Sequence, residues 1–166
     1  AKAQLESRLD PDAEARTSSA TGLFQFIDST WVSSFEKYKS QIGVELLTLQ
    51  AEGALPTRAV SDSTSDRSIV LDLRKDARIA ALIAAAFAQD NAATLQSKLG
   101  RAPTRTELYL AHFLGTGSAV RFIKQQAANP SARAASLFPS AARANRPVFY
   151  TPAGRARSFR EVLQHF

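Results

Sequence analysis

Glu6 is the residue whose type and setting first suggest chemistry. It lies in the run AKAQLESRL, with Leu5 before it and Leu9 beyond it. A carboxyl group in an apolar pocket has its pKa raised toward the working pH. It can then give up a proton to a leaving group as a general acid. The two leucines are expected to supply part of that burial. Position alone does not assign the role, because most glutamates on helices are solvated. The residues after Glu6 give it context. Asp10-Pro11 and a series of small and polar residues lead to Gly22-Leu23-Phe24-Gln25-Phe26, and then to Ser29-Thr30-Trp31.

Taken together, Glu6-Ser7, the run SATGLFQF (residues 19–26) and STW (residues 29–31) resemble the lytic transglycosylases with a soluble lytic transglycosylase-type domain, a goose-type lysozyme-like group. A Glu-Ser dipeptide carries no information by itself; the combination at this interval does. The resemblance implies an all-α, lysozyme-like helical domain with a substrate cleft. It also implies cleavage of the β-1,4 bond between N-acetylmuramic acid and N-acetylglucosamine in peptidoglycan. Glu6 would be the single catalytic acid, and Gly22 to Gln25 would stand for the family's Gly-Leu-Met-Gln. Gln25 would offer an amide to sugar hydroxyls or the acetamido group, and Phe24 an apolar floor in place of methionine. Gly22 would give backbone freedom and close approach, and Ser7 would support Glu6 or contact sugar. Most of the chain is covered, but the match is specific only in residues 6–31.

The family's third motif, Ala-Tyr-Asn, corresponds to Ala111-His112-Phe113, followed by Gly115 and Gly117. His112 stands where the family's tyrosine commonly hydrogen-bonds the catalytic glutamate. A neutral imidazole can do the same, whereas an imidazolium lowers a neighbouring carboxyl's pKa and weakens an acid. Tyr109, three residues earlier, can share that face and supply a phenol. Phe113 cannot replace an asparagine's hydrogen bonds. Tyr150 is a further aromatic candidate for a cleft rim. The resemblance also implies a bacterial periplasmic setting, glycan strands as partner, and a task beside envelope machinery such as a secretion system or flagellum. No cofactor is expected.

These residues need elements to hold them. Residues 1–9 read as the end of a helix stopped by Asp10-Pro11, so the natural chain is expected to extend upstream. Residues 10–21 form a polar loop. The stretch from Asp28 to Gly43 reads as a helix capped by Asp28 or Ser29, with Trp31, Phe35 and Tyr38 on one face and Gly43 after its end. Residues 44–51 make a short helix, and residues 53–68 form the least structured stretch. Residues 71–99 carry the longest helical pattern, closed by Gly100. Thr104 with Glu107 and Ser158 with Glu161 have capping-box spacing. A helix is expected at about 118–128, and two short pieces broken near Pro139 over 131–144. RPVFYTPAGRAR (residues 146–157) reads as a loop or short extended arm. One domain spanning residues 1–166 is expected.

Composition bounds the alternatives. The chain has 166 residues, a formal charge of +6 and no cysteine, with a pI near 10.1. Thiol catalysis and thiolate metal sites are excluded. With His112 and His165 as the only histidines, a multi-histidine metal site is not expected. The basic surface suits an anionic partner. The arginines are scattered, which argues against nucleic acid, and no apolar run has the length of a membrane span. Two further readings keep the same fold. A hydrolysing lysozyme needs a carboxylate to hold water across the ring, for which Asp10 and Asp28 are the candidates. A non-catalytic wall-binding module needs none.

Overall fold

The computed structural model describes residues 2–16, 18–54 and 67–166. They are all-α: helices carry the architecture, and the extended pairings among the described residues are isolated bridges. The chain divides into two compact units, residues 1–87 and 88–166.

The first unit contains α1 (Lys2–Ser7), α2 (Asp28–Tyr38), α3 (Gly43–Ala51), α4 (Arg67–Asp72) and the beginning of α5 (Ala77–Leu99). Trp31, Phe35 and Tyr38 fall four and three residues apart on α2, so one face turns inward. There they meet Leu46 and Leu49 of α3, Val70 of α4, and Ile79 and Ile83 of α5. The Trp31 indole N–H donates to the Val70 carbonyl, which ties α2 to α4 and satisfies a buried donor. Gly43 opens α3 instead of closing α2. The expectation of little structure over 53–68 falls mostly on residues outside the described set; Arg67 and Ser68 belong to α4.

The helical pattern expected over 71–99 is interrupted. Residues 73–76 form a turn between α4 and α5, and Asp76 starts the second helix. Its Oδ1 accepts the Arg78 and Ile79 amides, both at 2.9 Å. An aspartate that takes the first free amides of a helix fixes its start, and this signal overrides the continuous alanine and leucine periodicity around it.

The second unit continues α5 and adds α6 (Arg105–Leu114), α7 (Thr116–Ala128), α8 (Ala134–Leu137), α9 (Pro139–Ala144), α10 (Arg146–Phe149) and α11 (Phe159–Leu163). Both capping boxes form, at Thr104 with Glu107 and at Ser158 with Glu161. Pro139 sits in the first turn of α9, where its missing N–H costs no hydrogen bond. Phe122, Phe138 and Phe159 pack ring against ring, with centroids 4.9–6.3 Å apart. Residues 146–157 combine the single turn of α10 with a tight reversal: Tyr150 bridges to Ala156, and Gly154 adopts φ 81° between them.

Candidate functional site

In the first unit α1 carries Glu6 and Ser7, and the chain leaves it abruptly. Arg8 and Leu9 both adopt positive φ, 58° and 67°, a conformation that costs an L-residue energy and breaks a helix. The helix therefore stops at Ser7, before Asp10-Pro11 is reached. Asp10 turns the chain onward, its Oδ1 accepting the Asp12 amide at 2.9 Å. Leu9 ends 58% exposed, so it does not wall Glu6 as its spacing suggests, because two left-handed residues rotate it off the helix face. Glu6 itself is half-buried.

The polar loop expected over residues 10–21 and the motif residues after it fold on themselves over residues 13–26. Ala15 donates to Ala20 and Gly22 to Ala13, each at 2.9 Å, and Thr21 donates to Phe26 at 3.3 Å. A tight turn comes next at Gly22–Gln25, where the Gln25 amide donates to the Gly22 carbonyl at 3.2 Å. Gly22 has φ 79°, and a Cβ there would lie 2.2 Å from the Arg74 carbonyl oxygen. No other residue type fits without moving main chain.

The side chains secure this turn against α1. The Ser7 hydroxyl hydrogen is shared between Ala3 O, at 3.1 Å, and Leu23 O, at 3.0 Å. The residue next to Glu6 is thus fastened to the turn that begins at Gly22. Gln25 Nε2 donates to Ala13 O at 3.1 Å and to Gly22 O at 2.9 Å. Both amide hydrogens are committed to main chain, so Gln25 presents a ligand with an acceptor, Oε1, and not the donor–acceptor pair its type suggests. Phe24 is half-buried and packs against the first unit's core.

Two cations complete the setting, and sequence reasoning missed both. Lys2, one helical turn before Glu6, lies over the Phe26 ring at 5.9 Å. Burial pushes its pKa down from 10.5 to about 8, and the Glu6 charge opposes the shift. Arg74, 8% exposed, reaches from the turn before α5. Its Nη1 donates to Ser19 O at 2.7 Å, Phe26 O at 3.1 Å and Asp28 Oδ1 at 2.8 Å, and its Nε to Leu71 O at 3.0 Å. Asp28 therefore serves as an ion-pair partner instead of the helix cap. The N-cap position of α2 is Ile27, without a side-chain cap, and the Asp28 amide is met by Ser19 Oγ at 3.1 Å. Next to Arg74, Lys75 pairs with Glu14 at 2.9 Å, which holds the Glu14 carboxyl below its ordinary pKa. An arginine in a helix break is a faint signal in a sequence, because its contacts are made to residues 46–55 positions away.

In the second unit Tyr109 and His112 share a face of α6, their rings 6.3 Å apart. Phe166 packs on Tyr109 and on Phe113, with centroids 5.1 Å apart in each case. His112 Nδ1 is buried, so this histidine belongs to an aromatic cluster. Tyr150 stands in a different setting, under the Arg146 guanidinium at 4.7 Å. The structure thus joins Ser7, Gly22, Phe24 and Gln25 to the helix of Glu6 within the first unit, while Tyr109, His112 and Tyr150 belong to the second. Among the described residues no group of three His, Cys, Asp or Glu side chains is placed to hold a metal ion, and no helix is long and apolar enough to cross a membrane. No family model matches the chain.

Proposed function

We propose that the chain is a peptidoglycan lytic transglycosylase of the lysozyme-like kind, acting in the bacterial cell envelope with Glu6 as its acid. The observation that carries this reading is the Ser7–Leu23 hydrogen bond. It fastens the helix of Glu6 to the Gly22–Gln25 turn, the two segments on which the resemblance rests. A half-buried glutamate on a helix fastened to a turn that glycine and a buried arginine hold in one shape is a setting for a positioned general acid.

In the proposed reaction Glu6 protonates the glycosidic oxygen between N-acetylmuramic acid and N-acetylglucosamine. The glycosidic bond breaks, and the substrate's acetamido oxygen assists at the anomeric carbon. The Glu6 carboxylate then takes the proton from the C6 hydroxyl, whose oxygen closes on the anomeric carbon as a 1,6-anhydro ring. No water is consumed, and Glu6 ends protonated for the next cycle. Gln25 Oε1 can accept from a sugar hydroxyl, and the Phe24 ring offers an apolar surface.

The hydrolytic alternative needs a second carboxylate free to orient water. Its two candidates are engaged in local structure, Asp28 with Arg74 and Asp10 with the Asp12 amide, which favours the transglycosylase. Purified peptidoglycan incubated with wild type and with Glu6→Gln tests the reading. Clearing by the wild type, with a loss of about 10³-fold in the variant, is expected for removal of a general acid. Equal clearing by the two proteins contradicts the assignment of Glu6, and no clearing by either leaves a wall-binding module.

A further inference from the structure

The second unit holds a pocket that the proposed reaction does not use. It has a volume of about 530 Å³, and its lining includes Arg146, Pro147, Tyr150, Thr151, Pro152 and Arg157. This size lies in the range of small-molecule sites and exceeds what a bare ion fills. The pocket has no acidic lining residue and two guanidinium groups.

Those two groups differ from the other arginines around them. Arg155 points at Glu161 and is neutralised by it, at 2.7 Å. Arg101 is paired with Glu107 in the same way, at 2.6 Å. Arg146 and Arg157 make no ion pair among the described residues. The Arg146 guanidinium carbon lies over the Tyr150 ring, 4.7 Å from its centroid, a contact made through the cation's charge that commits none of its N–H donors to a carboxylate. Arg157 uses Nε to hold Tyr150 O at 3.3 Å, which fixes its stem and leaves its terminal nitrogens as donors. The Thr151 hydroxyl adds a neutral donor. Tyr150 and two prolines supply rigid apolar surface of the kind on which the C–H face of a ring rests.

We infer that this pocket is a binding site for a carboxylate-bearing ring of saccharide size, the carboxylate held by Arg146 and Arg157 and the ring resting on Tyr150. Paired guanidinium donors match the planar oxygens of a carboxylate, and the aromatic and proline surface selects a ligand with a body over a free ion. The inference needs only residues 146–157 and stands whether or not the first unit is catalytic.

The test uses the whole chain, titrated with glucuronic acid as an acidic pyranose, with glucose as its neutral counterpart, and with inorganic phosphate as a bare anion. Binding is monitored by NMR shifts of the Arg146 and Arg157 side-chain N–H groups and the Tyr150 ring. Glucuronic acid is expected to shift these signals and glucose to leave them in place. Arg146→Gln is expected to weaken glucuronate binding about tenfold or more, as loss of a charge-assisted contact requires. Arg157→Lys, which keeps the charge but loses the fork, is expected to weaken it less than Arg146→Gln while leaving the circular dichroism spectrum unchanged. Equal shifts by glucose, or phosphate binding as tightly as glucuronate, would overturn the inference. So would glucuronate shifts that survive Arg146→Gln in a folded protein.

Discussion

At the scale of single residues, Glu6 carries the proposed chemistry and Gly22 sets the shape beside it. Gly22 combines φ 79° with a main-chain oxygen 2.2 Å from where a Cβ would sit. Gly22→Ala is therefore expected to destabilise the fold by roughly 2–4 kcal/mol, the sum of a left-handed alanine and a displaced carbonyl. Chemical denaturation monitored by Trp31 fluorescence measures it. Lys2 offers a pH-dependent counterpart. Its folded pKa, about 8, lies below the ordinary 10.5 because burial disfavours its charge. Between those values the unfolded chain binds more protons than the folded one, so stability rises with pH across that window. Below pH 8 the penalty for burying the charge is present in full. Lys2→Met is accordingly expected to raise the melting temperature at about pH 7, and to lose that advantage as the pH approaches 10.5. A melting temperature lowered at neutral pH contradicts this account of Lys2.

At the scale of elements, the first unit's site depends on the short turn between α4 and α5. Arg74 binds three carbonyls and one carboxylate from that turn, and so joins the folded loop and the start of α2 to the helix break. Arg74→Met leaves the Asp28 carboxylate and two loop carbonyls without their donor. A loss of about 2 kcal/mol is expected from leaving these acceptors without their donor, together with a fall in any activity that depends on the Gly22–Gln25 turn. At the other end of the chain the Ser158–Glu161 box starts α11. The Arg155 hydrogen bond, and then the Ser158 amide, hold Glu161 down from 4.5 to about 2. This contribution is complete above pH 4.5 and fades as the pH falls toward 2. The melting-temperature cost of Glu161→Gln measured at neutral pH should thus vanish near pH 2. The capping boxes, the inward face of α2 and the break at Pro139 are all legible from the sequence, because each is written in residues a turn apart. The end of α1 at two left-handed residues, the break at residues 73–76 and the grip of Arg74 are not. They depend on contacts made across dozens of positions. The Gly22–Gln25 motif could be read, but the inward commitment of the Gln25 amide could not, since its acceptors are main-chain atoms whose placement only folding decides.

At the scale of the whole molecule, an all-α chain of two compact units presents its two groups of candidate residues differently. The first unit joins the helix of Glu6 to the motif turn; the second sets Tyr109 and His112 in an aromatic cluster and Tyr150 under an arginine. A net charge of +6 suits an anionic polymer as the proposed substrate, and long-range attraction of that kind weakens as salt shortens the screening length. Turnover of purified peptidoglycan is therefore expected to fall as ionic strength rises, measured as the rate of turbidity loss. The central claim, an acid that closes the sugar on itself instead of admitting water, is tested most directly by mass spectrometry of the muropeptides released from purified sacculi. The account predicts 1,6-anhydro ends with the wild-type protein and none with Glu6→Gln. Release of reducing ends, or the same products from both proteins, would contradict it.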